Sequence, residues 1–256
     1  MTLRWVPGWN GLTEPEAVSY VAAVEAADGQ ELEFGVAKAI NDFVLGCKND
    51  GIWDAIKASC ILAGARTLAG ALVPLVGTAP TNYNFVSGDY DRETGLIGDG
   101  STKYLDSKRN NNADPQNSNH NAVYVSTAQI STIGIYIGTG ASDPGRNNLG
   151  HNPPAPESFA RNRSSGSATF AVTSTGFIGH SRSSETSFVF RANGSNTIAN
   201  EVSTTPENAI VDVFRRGTGS YANARLALYS IGESLDLAAL DTRVSNLITA
   251  IGAAIP

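Results

Sequence analysis

The sequence is poor in charge and has no long hydrophobic run. Lys, Arg, Asp and Glu make up only 16% of the 256 residues, and the formal net charge is −6 at pH 7. The basic residues are scattered, so they form no positive stripe of the kind that binds nucleic acid. Gly and polar residues interrupt the apolar stretch 61–77 before it reaches transmembrane length. We therefore expect neither nucleic-acid binding nor membrane insertion.

Cysteine is also scarce, since Cys47 and Cys60 are the only two. Neither belongs to a CxxC motif or lies near a histidine pair, so the pattern does not indicate a zinc site. Their spacing neither requires nor excludes a disulfide, and buried free thiols are the expected state. The N-terminus, MTLRWVPGWNG, lacks the apolar core of a signal peptide, so synthesis in a cytoplasm is expected.

Small polar residues and 26 glycines supply the polarity that charge does not, as is typical of β proteins with many turns. From about residue 58, apolar residues alternate with polar ones, which predicts strands. Asn193-Gly194 predicts a tight hairpin, because both residue types accept positive φ. Strands with no helices between them indicate an antiparallel sandwich. The alternating apolar residues include Ile133, Ile135, Ile137, Phe170, Val172, Phe188 and Phe190.

Helices are predicted at both ends of the chain. Near the N-terminus, Thr13 and Glu16 have capping-box spacing, Pro15 suits a first helical turn, and the segment IWDAIKAS predicts a short third helix. We expect residues 1–57 to form a helical docking or oligomerisation segment that lies against the larger domain or a partner. Residues 58–256 are predicted to form the β domain.

The β domain is predicted to end in a helix over about 234–252. Ser234 can cap it, and its apolar residues follow a 3-4 spacing that spans barely two heptads. Packing on the edge of the sheet is the expected role of this seam, and an oligomer interface is the alternative. The seam consists of Leu237, Leu240, Val244, Leu247 and Ile251.

Three segments resemble a known family when they are taken together. They are GDGSTKYLDS (98–107), FVFRANG (188–194) and RLALYSIGESLDLAALDTRV (225–244). In this combination the chain is similar to tailed-phage virion proteins that place a short helical segment before a concanavalin-like, LamG-like jelly roll. The resemblance runs from about Val21 to Ile251. It implies a mainly β, antiparallel jelly-roll sandwich in a particle component of the tail, fibre, neck or capsid surface.

An acidic cluster, DYDRETG, raises the question of a metal site. If extended, it would project Asp89, Asp91 and Glu93 to one side. An EF-hand counted from Asp89 fails, because Thr94 stands where Gly is needed and Gly100 where Glu is needed. A solvated strand face is the expected role of these acids, no metal site is predicted, and Ca²⁺ stays an alternative.

Enzymatic motifs are absent from the sequence. No G-x-S-x-G elbow accompanies the three histidines, and Gly98-Asp99-Gly100 belongs to no phosphate-binding loop. A glycosidase needs two carboxyls at a defined separation, one of them in an apolar pocket, and no acid here is paired with Trp on a core strand. We expect no catalysis, with a polysaccharide depolymerase as the remaining enzymatic alternative.

The Asn-rich run that follows residue 109 suits two roles equally well. It could bind hydroxyl-bearing ligands, or it could form an uncharged exterior. The leading prediction is a non-enzymatic structural virion protein, with other virion proteins and sister subunits as partners. Trp5, Trp9 and Trp53 are its candidate docking residues, since Trp is a frequent interface anchor. The alternative is an adhesin for host-surface glycans. Its candidate binding residues are Asp89, Asp91, Asn110, Asn111, Asn112 and Asn117.

Overall fold

A computed structural model describes residues 11–130, 132–140, 144–171 and 175–256. Fifteen strands in these ranges form two sheets, and every strand pair is antiparallel. The strands are β1 (Ile56–Ile61), β2 (Thr81–Tyr83), β3 (Tyr90–Asp91), β4 (Gly95–Ile97), β5 (Tyr104–Asn110), β6 (Asn119–Thr127), β7 (Gly134–Thr139), β8 (Asn147–His151), β9 (Glu157–Asn162), β10 (Ala168–Ala171), β11 (Gly176–Arg182), β12 (Phe188–Ala192), β13 (Ser195–Ala199), β14 (Ile210–Val213) and β15 (Arg225–Gly232).

The strand order confirms the predicted antiparallel jelly-roll sandwich. The eight-stranded sheet runs β13-β12-β11-β6-β15-β4-β3, and β1 also pairs with β15. The seven-stranded sheet runs β10-β9-β8-β7-β14-β5-β2. Most strands pair with a strand distant in sequence, so each sheet needs both the early and the late parts of the chain.

Alternating side chains from the two sheets meet in a buried apolar core. Phe170 and Phe190 stack within it, with ring centroids 3.8 Å apart. The predicted alternation fails in β7, because a bulge between Ile135 and Ile137 places Tyr136 in this core together with Ile137. Ile133 precedes the strand and is exposed. Val172 lies outside the described residues. Further members of the core are Leu96, Leu105, Val123, Leu149, Ile178, Phe188, Val211 and Tyr229.

Helices cover the outer face of the eight-stranded sheet. They are α1 (Pro15–Asp28), α2 (Phe34–Asn49), the short α3 (Leu68–Ala71) and α4 (Leu237–Ala254). A second apolar core joins residues of α1, α2 and α4 to outward-facing residues of this sheet, such as Ala122, Phe177 and Leu228. The N-terminal helices therefore lie against the larger domain, which is one of the two arrangements expected.

The apolar seam of α4 is buried inside the chain. Its five residues are at most 2% exposed, and they belong to the core shared with α1 and α2. The helix packs on α2 and on the face of β11, where Gly179 leaves room for Leu237. The predicted edge packing was wrong, because this face offers more apolar surface than an edge does. The seam is used within one chain and is not displayed to a second copy.

Both predicted helix caps were wrong in detail. Helix α1 starts at Pro15 after Glu14, without a side-chain cap, and Asn41 Oδ1 accepts from the amides of Thr13 and Glu14 at 2.7 and 3.0 Å. Glu16 pairs with Lys48 instead of closing a capping box. At α4, Asp236 is the cap, because its carboxylate accepts from the Ala238 amide.

Two local predictions, a short third helix and a hairpin, had opposite outcomes. The predicted third helix is wrong: Trp53–Ala55 form one 3-10 turn, and β1 follows directly from Ile56. Ile56 and Cys60 are both buried because β1 lies between the two apolar cores. The hairpin at Asn193-Gly194 is confirmed, with φ of 52° and 71° for the pair joining β12 to β13.

Cys47 and Cys60 are free and buried, as expected. Burial raises the pKa of each thiol to about 12, so neither forms a thiolate at neutral pH. In the part of the chain that the structure describes, none of the helices combines the length and the apolar character that crossing a membrane would need.

Candidate functional site

The acidic cluster near residue 90 does not project to one side, which corrects the extended arrangement predicted for it. Asp89 is buried at the end of a 3-10 turn, where it binds Lys103 Nζ at 2.5 Å and the Val86 amide at 2.8 Å. Asp91 is exposed and closes its own turn by accepting from the Glu93 and Thr94 amides. Both carboxylates therefore serve local structure. Over the described ranges, no three His, Cys, Asp or Glu side chains are grouped to hold a metal ion.

The Asn-rich run is folded inward around one arginine. Arg163 is 1% exposed, and its Nε donates to Asn111 Oδ1 at 3.2 Å. Its terminal nitrogens donate to main-chain carbonyls of the run, which are those of Asn111, Asp114, Pro115 and Gln116. Burial lowers the pKa of Arg163 to about 10. The run is therefore a scaffolded loop and not a freely displayed surface.

Asparagines fill the space between the two sheets at this end of the sandwich. Asn147 Nδ2 donates to Asn111 Oδ1 at 2.8 Å and to Asn119 Oδ1 at 3.3 Å. Asn162 Oδ1 accepts from Asn119 Nδ2 at 2.9 Å. A polar layer thus replaces the apolar core here, and the gap among these side chains has no room for water.

Two further buried groups complete the polar layer. Arg182 is fully buried, and burial lowers its pKa to about 10. It donates to five main-chain carbonyls, which belong to Asn162, Ser184, Glu185, Ser187 and Glu201. His180 lies beside Asn162, with Nδ1 2.7 Å from Asn162 Nδ2. The layer therefore fixes several loops at once.

The six predicted glycan-binding residues do not form one site. Asp89 bonds to the residue before β5, whereas Asn110 ends that strand and Asn111 and Asn112 follow it. A strand of this length separates the two groups by about 20 Å. Asn111 is buried, Asn110 and Asn117 are half-buried, and only Asn112 is exposed among the four asparagines. The candidates therefore lie at two separate places on the molecule, and their role in glycan binding stays a prediction.

The predicted docking tryptophans are only partly described. Trp5 and Trp9 lie outside the described residues. Trp53 is half-buried and packs against the core shared by the helices and the eight-stranded sheet. Its ring therefore has a structural role at the start of the β domain.

A group of tyrosines stands on the outer face of the seven-stranded sheet. Tyr83 and Tyr104 are cross-strand neighbours with stacked rings, 4.3 Å apart and 5° from parallel. Tyr221 meets Tyr104 edge-on at 6.3 Å. The Arg215 guanidinium lies 3.1 Å from the centre of the Tyr104 ring. Tyr83 is 39% exposed, so one side of this stack faces solvent.

Charged groups border these rings. Arg215 Nε donates to Asp212 Oδ2 at 2.8 Å, and Lys108 Nζ donates to Asp106 Oδ2 at 2.9 Å. Strand register places Asp106 directly opposite Asp212. Burial raises the pKa of Asp212 to about 6, and the charge of Asp106 adds to this rise while Arg215 opposes it. We call the whole group the tyrosine face; it comprises Tyr83, Tyr104, Asp106, Lys108, Asp212, Arg215 and Tyr221.

One loop supplies two members of the tyrosine face. The loop, Phe214–Ala222, carries Arg215 and Tyr221, and the Ala222 amide closes it by donating to the Phe214 carbonyl at 2.8 Å. Phe214 has φ of 72° and is fully buried against Phe85. A left-handed Phe is uncommon, and here the buried ring holds the turn that directs Arg215 back over the sheet.

Sequence analysis missed the tyrosine face. A usable pattern was present in YLDSK, because Tyr104, Asp106 and Lys108 alternate with the inward-facing Leu105 and Ser107. That alternation indicates a sheet face with aromatic and charged groups. Tyr83, Asp212, Arg215 and Tyr221 join it only through strand pairing and the closed loop, which no local pattern contains.

The protein resembles solved structures in fold alone. No protein-family model and no curated protein matches its sequence. The botulinum neurotoxin serotype D binding domain has 9% identity and a TM-score of 0.51, covering 75% of this chain and 50% of that chain. Domain 4 of AbnA, a GH43 extracellular arabinanase from Geobacillus stearothermophilus in complex with arabinotriose, has 13% identity and a TM-score of 0.42, covering 68% and 82%. A Trypanosoma rangeli sialidase has 11% identity and a TM-score of 0.45, covering 84% and 40%. The chain thus spans about half the length of the toxin domain chain.

Proposed function

We propose that the protein binds saccharides through the tyrosine face, without cleaving them. The observation that carries this proposal is the Tyr83–Tyr104 stack, whose solvent-exposed side lies beside carboxyl groups and cations. An aromatic ring offers an apolar surface to the C–H groups of a sugar ring, and carboxylates accept hydrogen bonds from its hydroxyls. The fold shared with a toxin binding domain is consistent with a binding role.

The position of the tyrosine face also supports a binding role. Helices cover the outer face of the eight-stranded sheet, whereas none of the described helices belongs to a core with the outer face of the seven-stranded sheet. The tyrosine face therefore lies on the side of the sandwich that the chain's own helices leave uncovered. A rigid sheet holds its side chains in place before a ligand arrives, which limits the entropy lost on binding.

Binding without cleavage is the form of the proposal that the ion pairs support. Asp106 and Asp212 are the facing carboxylates of the site, but Lys108 holds the first and Arg215 the second. Asp212 has the raised pKa that an acid catalyst needs, but a glycosidase also needs a second carboxyl that is free to act, and Lys108 holds Asp106. We expect no new reducing ends after prolonged incubation with any retained polysaccharide. Their appearance would favour the depolymerase.

The binding test is a glycan array probed with the full chain, followed by titration of the best-retained glycan. Replacing Tyr83→Ala should weaken binding about tenfold, because the exposed stacking surface is lost. Phe34→Ala is the matched control, since Phe34 is 64% exposed at the start of α2 on the helical side. Equal affinities for the wild type and Tyr83→Ala, or equal losses in both variants, would contradict the proposal.

We further propose that this binding surface is carried on a tailed-phage particle, made in the bacterial host cytoplasm and exposed on the tail, fibre or capsid. The support is the resemblance of residues 98–107, 188–194 and 225–244 to virion proteins described above. Sister subunits and other virion proteins would hold it there through the segment that carries Trp5 and Trp9. Mass spectrometry of purified particles tests the assignment. Hundreds of copies would place the protein on the capsid, a few tens would place it on the tail or a fibre, and its absence would refute the assignment.

A further inference from the structure

Strand β13 forms an open edge of the eight-stranded sheet. It is the last strand in the pairing order, with β12 on one side and no described strand on the other. The terminal strands β2, β3 and β10 have three, two and four residues, against five in β13. β1 also lies at a margin, but Ser59 there pairs with Val76. Within the described ranges, β13 is therefore the longest sheet edge without a neighbour.

The hairpin determines which backbone groups of β13 point away from the sheet. Its two-residue turn, with positive φ at both positions, closes on a hydrogen-bonded pair, Ala192 and Ser195. Hydrogen-bonded and non-hydrogen-bonded pairs alternate along an antiparallel ladder, so the amide and carbonyl of Thr197 point to β12. Those of Asn196 and Ile198 point outward, and no backbone group of another described strand or loop bonds to them.

The sequence of β13 has none of the features by which natural sheet edges avoid pairing. Edge strands are commonly protected by Lys, Pro, a bulge or very short length. The strand SNTIA contains no charged residue and no Pro, and its five pairs with β12 run without a register shift. Residues 195–198 are exposed, and Ile198 among them is 66% exposed. This edge therefore favours the addition of another strand.

Side-chain hydrogen bonds hold this edge in place. Arg191 of β12 donates to Asn196 Oδ1 through Nη1 at 2.9 Å and to Asp241 Oδ2 through Nε at 2.8 Å. Asp241 belongs to α4, so the arginine connects the middle of the edge strand to the helix that covers the sheet. A strand that is already fixed loses little conformational entropy when it pairs with a partner.

The outward backbone groups of β13 are complementary to those of a second β13. If two copies of the strand lie antiparallel with Thr197 opposite the partner's Thr197, Asn196 of each chain faces Ile198 of the other. The amides and carbonyls of these facing residues all point across the contact, so four hydrogen bonds form about a twofold axis. The strand carries no charge, so no like charges meet in this register.

We propose that two copies of the protein associate through β13, which joins their eight-stranded sheets into one continuous sheet. The second copy is the occupant that this edge fits, because one arrangement satisfies every outward backbone group of residues 196–198 in both chains. Two strands of five residues bury less surface than the roughly 1,200 Å² of a stable interface, so the dissociation constant lies in the micromolar range. The tyrosine faces lie on the other sheet of each copy and stay free in the dimer.

Analytical ultracentrifugation of the full chain tests the proposal. The wild type should change from monomer to dimer as its concentration rises from about 1 µM to about 100 µM. Thr197→Lys and Thr197→Glu should each stay monomeric, because like charges then meet on the twofold axis, and their equimolar mixture should dimerise again. Thr78→Lys is the matched control, since Thr78 is exposed close to Val76 and β1, on the opposite side of β15 from β13.

Each alternative result overturns the proposal for a different reason. A wild type that stays monomeric at about 100 µM means that the edge does not pair with itself. Dimers of undiminished affinity in Thr197→Lys place the contact elsewhere on the molecule, and equal losses in Thr197→Lys and Thr78→Lys mean that net charge alone controls association. A monomeric mixture of Thr197→Lys and Thr197→Glu, with both variants folded by circular dichroism, excludes the twofold register about Thr197. None of these results depends on whether the protein binds a saccharide.

Discussion

Two histidines illustrate how strongly burial changes the pKa of single residues in this protein. His120 is fully buried, with Nδ1 2.6 Å from the Glu233 carbonyl and Nε2 2.8 Å from Ser230 Oγ. His180 is equally buried in the polar layer. Burial lowers the pKa of His120 to about 4 and that of His180 to about 3, because the charged form would lose its hydration. Both imidazoles are therefore structural and uncharged at neutral pH, and neither belongs to the tyrosine face.

These histidines predict that the fold is sensitive to acid. Their folded pKa values lie below the ordinary value of 6.5, so below that pH the unfolded chain binds more protons than the folded one. The free energy of unfolding should therefore fall as the pH falls from about 6.5 towards about 4, by up to about 1.4 kcal/mol per pH unit for each histidine. Urea unfolding at several pH values measures this slope.

The variant His180→Gln isolates one contribution to that slope. For each protein, the free energy of unfolding is expressed relative to its own value near neutral pH. This quantity should depend less steeply on pH in His180→Gln than in the wild type. Asp212 acts in the opposite direction, because its folded pKa of about 6 lies above its ordinary value, so its contribution to stability is lost as the pH rises from about 4 to 6. An identical slope in the wild type and His180→Gln would show that this imidazole does not titrate with unfolding.

At the scale of elements, loops in this protein are fixed by buried arginines as much as by strand pairing. Arg163 holds the loop of residues 111–116, and Arg182 holds the segment 184–187 and Glu201. Among the described residues, neither arginine hydrogen-bonds to a carboxylate, and main-chain carbonyls together with the Asn111 and Asn162 amide oxygens accept from both. Removing one such side chain leaves several buried carbonyls without a donor, each of which costs free energy.

Arg163→Met tests this dependence. It should lower the free energy of unfolding by about 3 kcal/mol or more, because four carbonyls and the Asn111 side chain lose their donor. Limited proteolysis should then cut within residues 111–117, which the wild-type fold protects. Arg66→Met is the control, because Arg66 is partly exposed and pairs with Glu33 at the surface. If both variants lost a comparable free energy of unfolding, burial of Arg163 would add nothing to its contribution to stability.

Prediction from sequence succeeded for elements whose pattern is local. Alternation located the strands around Phe188 and Phe190, and the residues Asn193-Gly194 identified their hairpin. It failed for IWDAIKAS, because β1 is buried on both faces and its apolar residues therefore do not show the alternation that identifies a strand. Prediction from sequence also placed the asparagines on the exterior. The sequence around an asparagine does not show whether its amide contacts water or a buried guanidinium.

For the molecule as a whole, the helices and the sandwich form a layered structure with two apolar cores. One core lies between the sheets, and the other joins α1, α2 and α4 to the eight-stranded sheet. An ion pair between Asp50 and Arg243 further connects the two ends of the chain, with Nε 2.7 Å from Oδ2. The N-terminal helices therefore complete the fold of the β domain, whatever further contacts they make.

Deleting residues 1–50 should consequently prevent cooperative folding. The deletion would expose apolar residues of the eight-stranded sheet and of α4, including Phe177, Leu240 and Val244. We expect a broad thermal transition and strong binding of a hydrophobic dye. Deleting only residues 1–10 is the control for chain length at this end, since it retains every described helix. A sharp, native-like transition for the larger deletion would show that the sandwich is stable without its helices.

The sequence by itself determined the fold class, the hairpin and the apolar seam of the last helix. These follow from periodicity, turn chemistry and composition, which act over a few neighbouring residues. Only the tertiary structure decided which polar groups are buried and which are displayed. Tyr83, Asp106, Asp212 and Arg215 meet because strands distant in sequence pair side by side and one loop folds back over them. Such contacts depend on the pairing order of whole strands, and residue spacing along the chain does not encode that order in any local pattern.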